Sequence, residues 1–596
     1  MALGLTHDSP RISVDMQDIV ERWLRQFATA ASSGDVAATM KTFVPNGWLR
    51  DALIFTWDTR SLEGHAKITA YLADTLSNAH LSGFKLDERV WVRPQRVLDG
   101  AGIGAGFVFE TPRARGRGYV HLIEETDEGV EKSQDELSWK ALSVFMMLDE
   151  IKGHEESGRE SGVYGGHTLS WEEVFGARRA KIEADPHVII VGGGQTGLQI
   201  AARFAKMNIS AIVVERNKNV GDQWRQRYPT LSLNTPRNHH TFLYQSYPVN
   251  WPEFTPKDKL ANWLEQYAVS QDLIVWTNSQ IASTPRPTYD AASKRWAVTV
   301  NRNGNPVELR PRHIVIAIGM LGEARIPTIP GRDAFVGTVL HASRYGGGQP
   351  YAGKHAIVVG AGNTAADLCQ DLAFHGAQVT MIQRSSTCVR SITAVEEEMN
   401  RAYPSDVPLE VSDFKLAAMP LGLLRIFARQ RTAQMWEEEK NLHAKLRKGG
   451  VRLNMGTDDS GQFFLRAERA GGYWHDVGVA DMIESGQVKV KTGVELEQFL
   501  EKEVVFTDGT TLPADVVVYA TGYIDPRESL KDTFGADVIE QTSLLWGLDE
   551  ENEIKGSFKR SGYPGLWYGA GDFATGRFLS KQLALQIKAI ELGMMD

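Results

Sequence analysis

Two stretches of this 596-residue chain repeat one pattern: a short apolar run, a glycine-rich turn, a helical segment and a second apolar run. The first opens with His187-Val188-Ile189-Ile190-Val191 and passes through Gly192-Gly193-Gly194-Gln195-Thr196-Gly197. A helix is expected over 198–207, and the unit closes on Ala211-Ile212-Val213-Val214-Glu215. Apolar runs this short and without alternation fit strands buried on both faces, as in a parallel sheet. Gly192 makes the tight turn, Gly194 lets the backbone approach a pyrophosphate, and Gly197 lets the helix pack close to the strand. Free N–H groups at the helix start, around Gln195 and Thr196, face the anion. Glu215 stands roughly 20 residues beyond the turn, where a carboxylate accepts hydrogen bonds from ribose hydroxyls. Strand, turn, helix, strand and acid in that order separate this unit from a lone glycine triplet.

The second unit is Ala356-Ile357-Val358-Val359 followed by Gly360-Ala361-Gly362-Asn363-Thr364-Ala365. Ala365 takes the third glycine's place, which the fingerprint allows. The next strand, 378–383, ends on Arg384-Ser385 with no acid where Glu215 stood. An arginine beside the ribose accommodates a 2′-phosphate, so this unit is expected to prefer NADPH over NADH. The plainer reading of Arg384 is a surface arginine. An apolar strand ending in glycine, 313–319, leads into a proline-rich turn over 326–331 and marks a crossing between domains. Ala520-Thr521-Gly522-Tyr523 marks a second crossing, so one domain is inserted in the other.

The expected fold class is therefore α/β, with two Rossmann-like dinucleotide-binding domains, one inside the other. Residues 186–331 with 520–596 form the outer domain, and 332–519 the inner one. Residues of about 392–450 look like a helical insert. Phe414, Leu416, Met419, Leu421, Leu424 and Phe427 give it an apolar face, and 431–448 reads as one charged helix. A lid, a membrane-surface contact and a plain core helix all fit, the last most simply.

The length excludes a single core. With 65 basic and 74 acidic residues the net charge is -9, which gives no footprint for nucleic acid. The two cysteines, Cys369 and Cys388, form neither a Cys-x-x-Cys pair nor a zinc pattern, so no metal site is expected. Their scarcity fits a reducing compartment, and a cytoplasmic protein is expected. The first residues lack an apolar signal core, and no run reaches the ~18 apolar residues of a membrane span.

Residues up to 153 form a separate block. Ile19, Trp23, Leu24, Phe27 and Ala31 keep helical spacing, with polar residues opposite. Strand-like segments follow at 90–92, 104–109, 118–123 and 139–148. Helices first and an antiparallel curved sheet after give an α+β block. It resembles the SnoaL-like cone fold, also found in nuclear transport factors, with the run from Trp48 to Asp58 matching the pocket-lining part. Asp51, Asp58 and His65 are a candidate acid–base set there, against the plainer reading of local hydrogen bonding. Residues 154–185 read as a polar, glycine-containing linker with one short helix.

Beyond Glu215, Val220-Gly221-Asp222-Gln223-Trp224 resembles the Gly-Gly-x-Trp string of the flavin-containing monooxygenases, with Asp222 as its second member. Phe335-Val336-Gly337-Thr338-Val339-Leu340-His341-Ala342-Ser343-Arg344-Tyr345 matches that family's Phe-x-Gly-x-x-x-His-x-x-x-Tyr/Phe signature. The Baeyer–Villiger version ends in Trp-Pro, whereas Gly346 follows Tyr345 here. The spacing of Asn234 from Tyr247-Pro248 is similar to the pattern around that family's active-site asparagine.

The resemblance covers about 186–596. It implies FAD on the first unit, with Trp224 covering part of the flavin. The Gly571-Asp572 turn would meet the flavin chain ahead of a helix from about 580. It also implies NADPH on the second unit and Asn234 as the catalytic amide. The implied reaction passes one oxygen atom from dioxygen to a small organic substrate through a C(4a)-hydroperoxyflavin. N- or S-oxygenation and oxidative decarboxylation are the reaction types. A Baeyer–Villiger enzyme acting on a ketone and an NADPH oxidase releasing peroxide remain alternatives, and a homodimer is possible.

Overall fold

The computed structural model describes residues 14–125 and 138–595. Three sheets carry the architecture, and the chain passes through them out of order.

The first helix, Val14–Ser33, buries Trp23, Leu24, Phe27 and Ala31 on the stripe expected of it. Trp23 stacks on Phe27 at 5.0 Å between ring centroids, and Phe107 closes on both rings. With Val36–Met40 and Gly64–Ala79 this helix covers one face of a seven-stranded sheet. Two expectations need correction. The sheet is mixed, because Phe43–Ala52 runs parallel to Trp139–Ile151 while the other pairs are antiparallel. Residues 90–92 are a 3-10 turn, with Val90 and Trp91 at the surface and only Val92 buried. A run of three apolar residues has no length over which alternation can separate a strand from a turn.

Residues 154–185 end in a helix, Trp171–Ala184, started by a Ser170–Glu173 capping box. The next sheet is all parallel, in the order Val275–Trp276, Ala211–Val214, Val188–Val191, His313–Ile316, Leu566–Tyr568. The third sheet is also all parallel: Thr338–His341, Val516–Tyr519, His355–Val359, Gln378–Gln383, Val488–Thr492. The chain leaves one parallel sheet after Ile316, builds the other, and returns with Leu566. The runs read as doubly buried strands are buried, Val188, Ile189 and Ile190 completely.

Between strands of the inner sheet lie Ile392–Ala402, Leu409–Ala417, Leu421–Gln430, Thr432–Glu438, Lys440–Lys448 and Gln462–Arg469, so helices continue past residue 450. The single charged helix expected over 431–448 is two helices that meet at Glu439. The Glu439 carboxylate turns inward, 2.9 Å from the Arg390 guanidinium, and also accepts the Ser391 N–H.

These helices do not stand over a cleft as a free lid. Val411, Phe414 and Ala418 pack with Ala52, Tyr119, Phe145 and Met147 on the second face of the N-terminal sheet. Met419 and Leu423 pack around Trp48. The terminal helix, Phe573–Glu591, reaches the same sheet through Lys581, whose ammonium donates to Asp149 at 2.7 Å, and shares an apolar cluster with Leu53, Leu148 and Ile151. Val144 and Met146 face the N-terminal helices while Phe145 and Met147 face the insert, the two-residue period of a sheet covered on both sides.

Candidate nucleotide sites and active site

Both glycine-rich turns sit at the carboxyl ends of central parallel strands, each pressed against the carbonyl of an alanine in a crossing segment. Gly192 has φ +111°, and a Cβ there would lie 2.5 Å from the Ala317 oxygen. Gly360 has φ +133°, and its Cβ would lie 2.4 Å from the Ala520 oxygen. Gly197 passes so close to the first strand that a Cβ would fall 2.0 Å from the Gly192 oxygen. Ala365, the residue in the matching place of the second unit, is fully buried.

Gly194 and Gly362 instead have open surroundings. Their closest neighbours to an added Cβ are Gln223 Nε2 at 3.5 Å and the Tyr473 carbonyl at 3.6 Å. The helices that follow, Gln195–Lys206 and Asn363–Phe374, have no side-chain cap. Their first N–H groups, around Gln195 and Thr196 and around Asn363 and Thr364, are left for an external acceptor.

Glu215 is buried at the end of its strand. It accepts the Gly193 N–H at 2.7 Å, the Asn217 N–H at 2.8 Å and the Asn217 side-chain amide at 2.7 Å. The carboxylate thus braces the glycine turn as well as offering an acceptor, since about four lone-pair sites are available to it. Arg384 and Ser385 lie in the open at the end of Gln378–Gln383. The Arg384 side chain is 73% exposed, with Glu495 at 3.6 Å as a loose partner.

The first unit also contains buried polar atoms with no hydrogen-bond partner: both amide atoms of Gln223, the Trp224 indole nitrogen and Nδ1 of His239. Such atoms cost free energy unless a polar ligand meets them. With the open Gly194 turn and the uncapped helix, they suit a bound dinucleotide. Trp224 lies at 6.4 Å from the ring of Phe573, the first residue of the terminal helix. Asp572 caps that helix through the Thr575 N–H at 2.8 Å and pairs with Arg466, while His239 Nε2 lies 3.5 Å from it. Gly571 precedes Asp572 with φ +157°. The terminal helix begins at Phe573, seven residues earlier than the sequence suggested, so Asp572 sits at its positive end. Gln223, His239 and Arg466 escaped the sequence reading. Only Gln223 left a signal, as the variable residue inside Gly-Asp-Gln-Trp.

His475 joins the two units. Its N–H donates to Asn363 Oδ1 at 2.9 Å, and Nδ1 lies 3.1 Å from the Asn234 carbonyl oxygen. Burial pushes its pKa down to about 4, so the neutral ring keeps one proton, which Nδ1 gives to Asn234. Nε2 is 3.0 Å from the Gln462 side-chain amide. Asn234 itself is half-buried. Tyr228, in the stretch before Asn234, donates to Asp367 of the second helix at 2.6 Å, and burial raises that carboxyl to about 6.

The signature residues brace the scaffold. His341 Nε2 donates to the Gly522 carbonyl at 3.1 Å while Nδ1 accepts the Ser343 N–H, and Tyr345 donates to Asp371 at 2.6 Å.

The acid–base set considered in the N-terminal block does not converge. Asp51 accepts from the Tyr71 hydroxyl at 2.7 Å and from backbone N–H groups of residues 54–56. Asp58 accepts the Thr59 N–H at 2.8 Å, and His65 lies 3.3 Å from the Phe43 carbonyl. Each is spent on its own local bond.

Two nested parallel sheets, each ending in a glycine turn and an uncapped helix, make this chain a two-dinucleotide oxidoreductase of the flavoprotein type. The model of the flavin-binding monooxygenase-like family matches residues 185–534, and the chain belongs to that family. It is a flavin-dependent monooxygenase, with FAD and NADPH as cofactors. It is 30% identical over 349 residues to the indole-3-pyruvate monooxygenase YUCCA1 of Oryza sativa subsp. japonica, covering 57% of this chain and 77% of the relative. It is 28% identical over 421 residues to the probable indole-3-pyruvate monooxygenase YUCCA9 of Arabidopsis thaliana, covering 70% and 89%. A solved flavin-containing monooxygenase from Stenotrophomonas maltophilia aligns at 18% identity and a TM-score of 0.46, over 68% of this chain and 99% of that one. Among the described residues no helix is long and apolar enough to cross a membrane.

Proposed function

We propose that FAD lies on the Gly192–Gly197 turn, NADPH on the Gly360–Ala365 turn, and that the substrate meets the flavin beside Asn234. The single observation that carries this reading is His475, which ties the Asn234 carbonyl to Asn363 at the start of the second nucleotide helix. FAD held there and reduced by NADPH would supply the activation of dioxygen, with one oxygen atom going to the substrate and the other leaving as water. The protein's share is binding, orientation and exclusion of water.

Gly194, Gln223 and the helix start at Gln195 and Thr196 hold the pyrophosphate end, and Glu215 takes a ribose. Trp224 and Asp572 border the ring and its chain. Arg384 and Ser385 meet the 2′-phosphate. The Asn234 amide supplies two donors and an acceptor at the reacting side. The relatives' substrate, indole-3-pyruvate, makes an aromatic 2-oxo acid the first substrate class to try, with oxidative decarboxylation as the outcome. The corresponding domains are 186–331 with 520–596 for FAD and 332–519 for NADPH. A SnoaL-like cone precedes them, in a cytoplasmic enzyme.

The test is Asn234→Ala. The variant should keep FAD and its reduction by NADPH, release several-fold more peroxide per NADPH, and form correspondingly less oxygenated product. A wild type that turns every NADPH into peroxide across 2-oxo acid, amine, sulfide and ketone substrates would make the protein an oxidase instead. Ester formation from the ketone would move it to the Baeyer–Villiger type.

A further inference from the structure

The terminal helix and the insert share a buried ion pair. Arg577 Nε and Nη2 each lie 2.7 Å from an oxygen of Asp413, with side chains 4% and 3% exposed. The remaining Arg577 nitrogen, Nη1, donates to the carbonyls of His239, at 3.1 Å, and Thr241. Those carbonyls belong to the short helix Arg237–His240 and the residue after it, directly beyond Asn234. Tyr403 grips the same turn from the insert side. Its carbonyl accepts Asn238 Nδ2 at 3.1 Å, its ring meets the His239 ring at 5.5 Å, and its hydroxyl donates to Asp413 at 3.2 Å.

Asp413 is itself held from the other direction. It shares the helix Leu409–Ala417 with Phe414, whose ring lies 5.8 Å from Phe145 and 6.1 Å from Tyr119 of the N-terminal sheet. Arg89 stacks over Phe414 at 5.8 Å. Arg50 donates to the Ala417 carbonyl at the end of this helix and is clamped by Glu553 at 2.6 and 2.8 Å. A connected route therefore runs from the N-terminal sheet through Phe414 and Asp413 to Arg577 and the turn carrying Asn234.

We propose that Arg577 and Asp413 are positioning residues that hold the 234–241 turn in place, and that the N-terminal domain serves the reaction by seating the helix that carries Asp413. Two features distinguish this pair from an ordinary buried ion pair. Its guanidinium divides its donors between a carboxylate and two carbonyls of one turn, so it fixes a backbone. Its carboxylate comes from a helix whose opposite side is packed on another domain. The proposal rests on the reading that Asn234 borders the flavin.

Amide hydrogen exchange over 234–241 in the flavin-free protein tests it without reference to turnover. Asp413→Asn, which removes the charge and keeps the shape, should speed exchange there roughly tenfold or more, since breaking a buried pair is strongly destabilising and local opening reads out in exchange. Phe414→Ala, which leaves the pair's own atoms in place, should act in the same direction, with strands 188–191 and 211–214 unchanged in both. Should Asp413→Asn fail to fold, Phe414→Ala carries the measurement.

In the FAD-loaded enzyme both variants should release several-fold more peroxide per NADPH at unchanged flavin content. The Asp413→Asn, Asn234→Ala double variant should release no more than Asn234→Ala alone. Unchanged exchange over 234–241 overturns the proposal, and so does peroxide release that adds in the double variant. If Asn234→Ala alone leaves peroxide unchanged, the reading of Asn234 fails. The exchange data still decide whether the pair holds the turn.

Discussion

Arg384 ends a strand in open solvent, and that position governs what its loss should do. A charge-assisted hydrogen bond contributes about 1.5–3 kcal/mol, so Arg384→Ala should weaken NADPH roughly tenfold or more and leave NADH nearly unchanged. Titration of both nucleotides against the oxidised protein checks this, and an equal loss for the two would make Arg384 a bystander. Asp51 is the opposite case. Burial raises its carboxyl from 3.8 to about 7, so between those values the folded state holds a proton that the unfolded chain has released. Its contribution is complete below about pH 4 and is lost as pH rises through about 7. The unfolding midpoint should therefore fall from pH 5 to pH 8, and Asp51→Asn should flatten that slope; a series of thermal melts decides. The position of Arg384 just past a strand was legible in the sequence, because the strand is a recognisable apolar run. His475 and Arg577 were not, because each acts on a turn more than 200 residues away that only the fold brings near.

Helix starts and strand ends border the glycine-rich turns, and glycines at neighbouring positions there have different surroundings. Gly194 is extended and has room for a side chain, whereas Gly197 has a carbonyl oxygen 2.0 Å from where its Cβ would be. Gly194→Val should thus fold normally and purify flavin-poor, its side chain occupying the space of the pyrophosphate. Gly197→Val should not accumulate as folded protein. Circular dichroism with flavin absorbance separates the outcomes, and a fully yellow Gly194→Val would remove the turn from the FAD site. Elements such as these were readable in advance, since the buried parallel strands are short apolar runs and the turns between them need glycine. The mixed pairing of the N-terminal sheet was not readable. Whether 43–52 runs parallel or antiparallel to 139–151 is settled by connections, and alternation is the same for both.

At the scale of the molecule, the N-terminal block is built into the enzyme. Its second sheet face lies under the insert and the terminal helix, so two copies of the chain cannot meet across that face. Removal of residues 1–153 would uncover Val411, Phe414, Met419 and Leu423 together, an apolar surface of the kind that drives association. The 154–596 fragment should therefore elute as aggregate in size-exclusion chromatography. A soluble, flavin-loaded monomer would show that the sheet is dispensable. The sequence marked this block as a separate unit, and nothing local in residues 139–151 says that alternate side chains meet a helix 260 residues further on.

The return of the chain to its outer sheet sets a timetable for biosynthesis. The inner parallel sheet is complete once Tyr519 has emerged from the ribosome, but the outer one lacks Leu566–Tyr568 and the terminal helix until residues 566–591 have followed. The nascent protein can close its inner fold early, whereas the outer fold stays open and Arg577 has not yet been made. A ribosome stalled near residue 540 would display an N-terminal sheet that has met the insert and still waits for the terminal helix.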